Sequence, residues 1–152
     1  MTGDNNSKNR NYSKIVQFFF FFLVILLFFY DSLRELISFS FSPGPYSLKI
    51  YSYISLVPLV SIYFIFERRE KIFSEITCSL ARGIAVIITG LALYLLGIEW
   101  KALLFLNDYL SLMTLAFLVI FTGGFIFFFG QKAFKNALFP LSFLIFMVPL
   151  PL

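Results

Sequence analysis

Residues 15–30 read IVQFFFFFLVILLFFY, an apolar run whose one polar side chain is Gln17 and which carries no charge. No water-facing surface is compatible with such a run, and few soluble cores could bury it. Four more apolar stretches follow: 48–66, 82–98, 109–129 and 137 to the end. Runs approaching 20 uncharged apolar residues are the mark of helices that cross a bilayer, where every backbone polar group must be satisfied within the segment. The expected fold is all-α: a polytopic transmembrane helix bundle of about five spans, near 15–30, 48–66, 82–98, 109–129 and 137–152.

Composition points the same way. The chain is 60% hydrophobic and 13% charged, with 23 phenylalanines, which leaves too little polar surface to cover a soluble domain of 152 residues. The first fourteen residues, MTGDNNSKNRNYSK, are polar and basic, and are expected to be a disordered leader. A secretory signal also pairs a basic start with an apolar run. Here the run is long and leads into DSLREL with no small-residue cleavage site, so it reads as an uncleaved first helix. Lys49 sits at the edge of the second span, where it can snorkel to the headgroups, and Pro58 is expected to kink that span's middle.

Orientation follows from the lysines and arginines. With the N-terminus in the cytoplasm, Lys8, Arg10, Lys14, Arg68, Arg69, Lys71, Arg82, Lys132 and Lys135 fall on the inner side, and Arg34, Lys49 and Lys101 on the outer. Nine against three decides the assignment. The net charge of +4 is therefore span-flanking charge, and no nucleic acid partner is read from it. The ERREKIF run at 67–73 is a solvated inner loop on this reading. Trp100 beside Lys101 reads as an interfacial anchor.

Few residues invite a chemical role. Gly83, Gly90 and Gly97, seven apart, fall on one stripe of the third span, where helix packing outweighs a ligand groove. Gly123-Gly124 in the fourth reads equally as a packing notch or a local break. Glu99 and Asp108 share one short outer loop without any feature that would tune a carboxylate pair. Cys78, the only cysteine, has Arg82 nearby, but the chain contains no histidine to act as its acid or base. The interiors of the spans carry no Asp, Glu, Lys, Arg or His, which argues against an ion-coupled transporter. No residue is assigned a catalytic, cofactor-binding or metal-ligating role, and no cofactor is expected.

Two stretches carry a family resemblance. Phe139-Pro140-Leu141, Phe143-Leu144, Phe146-Met147 and Pro149-Leu150-Pro151 resemble the "FPL-x-FL-x-F-x-x-PLP" helix of the exosortase/archaeosortase family. YSYISLVPLVSIYFIFERREKIF at 51–73 is similar to an early segment of that family, in which a Tyr-Ser pair opens a helix closing on an Arg-Arg loop. Tyr53 stands where many members have histidine. Gly90, Tyr94 and Gly97 also fit the family's next helix. The resemblance covers 30–152.

The resemblance implies a multi-pass protein of a prokaryote's cytoplasmic membrane, a cysteine transpeptidase or peptidase. Its partners would be the lipid bilayer and exported proteins with a C-terminal sorting signal (short motif, hydrophobic helix, basic tail). In the family the catalytic cysteine, arginine and histidine follow the Pro-Leu-Pro helix. CSLAR at Cys78 lacks the flanking residues of the family's nucleophile motif and does not take its role. The chain is accordingly expected to be the N-terminal portion of a longer enzyme and inactive alone. The alternative is a non-enzymatic membrane scaffold or helper, and the oligomeric state is not legible.

Overall fold

A computed structural model describes residues 3–41, 54, 56–74, 76–77 and 79–149, with side chains from 12 to 38 and from 54 onward within those ranges. Lys49, Tyr53 and Cys78 lie outside the described residues, and so do the readings attached to them. The described elements are all helical: α1 (Gly3–Phe28), α2 (Tyr30–Phe41), α3 (Leu56–Glu67), α4 (Arg69–Ile72), α5 (Leu80–Glu99), α6 (Leu106–Asn136) and α7 (Leu138–Phe143). The last runs into a 3-10 turn at Leu144–Met147.

Two helices, α5 and α6, are long and apolar enough to cross a membrane, and the bent pair α1–α2 makes a third if it counts as one span. The segments expected at 48–66 and 137–152 are represented by shorter apolar helices, Leu56–Glu67 and Leu138–Met147. At 1.5 Å per residue, twelve residues rise about 18 Å against a hydrocarbon core of about 30 Å. Pro58 sits in the first turn of α3 rather than at a kink. There its missing N–H costs no helical hydrogen bond.

At the polar end of the chain α1 begins at Gly3. Once an apolar run nucleates a helix, each further residue adds a bond, so the helix propagates back through it. At the other end of the run the axis turns by 67° about Phe29. The amide ladder continues through the turn, Phe29 N to Ile25 O and Leu33 N to Phe29 O, both 2.9 Å. Phe29 is almost fully buried, its ring 5.0 Å from Tyr94 and 5.7 Å from Phe117. Beyond it α2 is amphipathic, with Leu36 buried and Asp31, Arg34 and Glu35 exposed. The bend lays the apolar face of α2, through Leu33 and Leu36, on the bundle and leaves its charges on the outer side.

The centre of the fold is the antiparallel pair α5–α6. Gly83 faces Phe127, Gly90 faces Ile120, and Gly97 faces Met113; from the other side Gly123 faces Ile87. All four glycines are buried. A Cβ at Gly83 would stand 2.6 Å from the Phe127 backbone, and one at Gly90 2.9 Å from the Ile120 nitrogen. The seven-residue stripe is thus a close backbone contact, as small residues permit between membrane helices. Gly124 is a notch as well, since a Cβ there would overlap the Phe21 ring of α1. Next to it Phe18 meets Phe121, Phe125, Phe128 and Phe129 at centroid distances of 5.0–6.0 Å.

The local break lies six residues further on. Gly130 has φ 85° and ψ 176°, a conformation open essentially to glycine alone. The chain reverses there. Ala133, Ala137 and Leu141 fold back onto Phe125 and Phe129, and the rest of the segment returns along α6. The Phe129 carbonyl, released from the helical ladder, accepts the Thr77 N–H at 3.3 Å.

Candidate functional site

The returning segment carries the Phe139 to Pro149 motif, and two serines from other helices hold it. Pro140 is buried in the first turn of α7. At the C-terminal end of α7 the Leu144 N–H turns to the carbonyls of Leu141 and Ser142. The Pro140 carbonyl instead accepts a hydrogen bond from the Ser61 hydroxyl of α3 at 2.8 Å. Ser61 is itself 1% exposed. Nine residues later the carbonyl of buried Pro149 meets the hydroxyl of Ser111 on α6, which shares its one hydrogen between this carbonyl and that of Asn107 at 2.8 Å. An unpaired carbonyl in an apolar interior costs free energy, so each serine removes a penalty and fixes a position.

Aromatic contacts continue the fastening along α3, with Phe64 5.2 Å from Phe139 and 6.4 Å from Phe143. On either side of the segment lies an apolar cavity. One, of about 260 Å³, is a partly open pocket bordered by the α1–α2 bend, α3 and α6, with Leu26, Leu33, Ile62, Ile65, Phe121 and Met147 in its wall. The other, of about 270 Å³, lies between α5, α6 and α7 and includes Val86, Val119 and Leu141. Leu144 borders both. Ser61, the polar side chain in the first cavity's wall, already spends its hydrogen on Pro140. The arrangement suits hydrocarbon and offers little to a polar ligand.

No cavity described above is built around the carboxylates read from the sequence. Glu99 ends α5 on the surface, and Asp108 lies in the first turn of α6, where the helix dipole favours a negative charge. Among the described residues no group of histidine, cysteine, aspartate or glutamate is placed to hold a metal ion. Lys101 stands 5.1 Å over the Tyr109 ring, at the end of the bundle that also holds Trp100. What sequence reasoning misses is the pair of serines. Each is a hydroxyl inside an apolar run, and a polar group buried in a membrane bundle needs a partner; the prolines of the motif supply the carbonyls.

The segment these serines hold is also where a family assignment rests. Residues 46–152 match the family model described as transmembrane exosortase (Exosortase_EpsH). The match spans the α3 helix, the glycine-packed pair and the whole returning motif. This chain belongs to the exosortase family. Neither the curated proteins nor the solved structures hold a match to it. For this exosortase, the resemblance seen in the motif residues and the family match coincide. The apolar helices make it an integral membrane protein surrounded by lipid.

Proposed function

We propose that this chain is the substrate-holding membrane portion of an exosortase that processes exported proteins bearing a C-terminal sorting signal. The observation that carries this reading is the family match over 46–152, which includes the motif segment fastened by Ser61 and Ser111. In this reading the apolar cavity beside α3 receives side chains of the signal's hydrophobic helix. Apolar walls, with the Ser61 hydroxyl already engaged, favour such a guest over a polar one. The N-terminus is cytoplasmic, in a prokaryote's inner membrane.

Bond cleavage is a separate matter. The 152 residues include no histidine to serve as acid or base to a cysteine, so in this reading they hold and orient rather than cut. The cysteine, arginine and histidine implied by the resemblance follow the Pro-Leu-Pro segment. A run locked by serines at Pro140 and Pro149 would fix the position from which such residues project.

A photo-crosslinking amino acid tests the docking. Placed at Ile62, in the cavity wall, it is expected to capture a reconstituted exported protein with motif, hydrophobic helix and basic tail. Placed at Leu95, on the exposed face of α5, it is expected to capture little. Equal capture at both positions, or none at Ile62, would refute the reading.

A further inference from the structure

The packing pairs gather several of the described cations at one end of the bundle. Phe18 of α1 meets Phe129 of α6, Phe64 of α3 meets Phe139, and the Thr77 amide meets the Phe129 carbonyl. The end of α3, α4, Thr77 and the turn after Gly130 therefore lie together, with the start of α5 tied to them through Arg82 and Gln131. Among the described residues six cations belong to these segments, Arg68, Arg69, Lys71, Arg82, Lys132 and Lys135, against two acids, Glu67 and Glu70.

Their placement is more specific than a charged loop requires. The stretch 131–139 gathers them. Arg82 donates to the Gln131 side-chain carbonyl, and Asn136 Nδ2 donates to the Lys71 carbonyl at 2.9 Å. The Arg68 guanidinium lies over the Phe139 ring at 5.5 Å, and Arg69 over Phe66 at 4.2 Å. Lys135 stands on the stretch itself, and at 1.5 Å per residue these nine residues extend about 12 Å. Phe66 and Phe139 are 65% and 50% exposed, so apolar rings that belong in hydrocarbon carry guanidinium groups directly on them. Exposed aromatic surface and positive charge therefore lie side by side at this end of the bundle.

We infer that Arg68, Arg69, Lys71, Arg82 and Lys135 form a binding site for the headgroup of an anionic phospholipid, with Phe66 and Phe139 against its acyl chains. Arginine pairs with phosphate through parallel N–H bonds, and lysine adds point charge. Glu67 and Glu70 lower the local charge without cancelling it. The site does not depend on the sorting reading: it serves any role the bundle has, by anchoring the end at which the chain reverses.

The test uses the purified chain in lipid nanodiscs of phosphatidylcholine with and without phosphatidylglycerol, followed by native mass spectrometry of the lipid retained. Wild type is expected to retain phosphatidylglycerol in preference. Each cation neutralised by glutamine is expected to weaken retention about fivefold, at low salt. The comparison is Arg68→Gln/Arg69→Gln/Lys71→Gln against Arg34→Gln/Lys101→Gln at the opposite end, with helicity checked by circular dichroism. Equal retention of both lipids by wild type, or equal loss in both variants, overturns the inference. Inorganic phosphate is the competing probe: if millimolar phosphate displaces the lipid, the cluster is a free-anion site and the headgroup assignment fails.

Discussion

The Ser61 hydroxyl donates a hydrogen bond, 2.8 Å long, to the carbonyl of Pro140, a residue 79 positions later in the chain. The bond joins the two stretches that carry the family resemblance, and it does so where neither water nor lipid can replace it. Ser61→Ala is expected to leave the carbonyl unpaired at a cost of about 1 kcal/mol. That lies between the small average for membrane hydrogen bonds and the full desolvation penalty. Reversible unfolding in mixed micelles measures it; an unchanged midpoint would show that the carbonyl finds another partner.

The glycine stripe gives an ordered series. Gly83→Ala and Gly90→Ala each press a methyl onto the backbone of α6, at Phe127 and Ile120, and are expected to cost about 1–3 kcal/mol. Gly97→Ala meets mainly the terminal methyl of Met113, which can swing away, so a smaller loss is expected. Thermal unfolding of the three variants checks the order. A Gly97 variant as damaged as the others would contradict the register described.

At Gly130 two demands coincide. Its positive φ disfavours every other residue, and a Cβ would run into the Thr77 carbonyl. Gly130→Ala is expected to lose the Thr77 to Phe129 hydrogen bond and to destabilise the reversal by more than the roughly 1–3 kcal/mol of backbone strain alone. Faster amide exchange at Thr77, with α5–α6 protection retained, is the signature to look for.

Sidedness has its own experiment. In a Cys78→Ser background, Lys101→Cys is expected to react with a membrane-impermeant maleimide in intact cells, whereas Lys135→Cys reacts only after the membrane is opened. The opposite pattern would invert the proposed orientation.

Activity offers a last check. The purified 152-residue chain is expected to release no product from a sorting-signal substrate, because no histidine is present to move a proton. Cleavage that survives Cys78→Ser would demand chemistry none of the described residues suggests.

The amino-acid sequence makes some of this plain and hides the rest for physical reasons. Seven-residue spacing is enough to place Gly83, Gly90 and Gly97 on one face, because helical periodicity is local. Gly123 and Gly124 cannot be separated into notch or break from spacing, since the deciding contacts are Ile87 and Phe21, distant in the chain. Gly130 hides at the edge of an apolar run, where it looks like a span's end; only the sign of φ shows that the chain turns back. The bend at Phe29 involves no proline or glycine, and the rings that meet Phe29 there, Tyr94 and Phe117, are distant in the chain. Ser61 and Ser111 escape notice because a hydroxyl changes the hydropathy of a long run very little.

The short returning helix bears on how the protein is made. Leu138–Met147 is too short to be handed to the bilayer by the insertion machinery as an independent segment. Its proline carbonyls find partners on α3 and α6, which emerge from the ribosome earlier. Biogenesis must therefore run in two stages: the longer helices insert and pair first, and the motif segment settles afterwards into a slot already lined with waiting hydroxyls. A defect in either serine would then appear during synthesis, as a late assembly intermediate, before it appeared in the finished molecule.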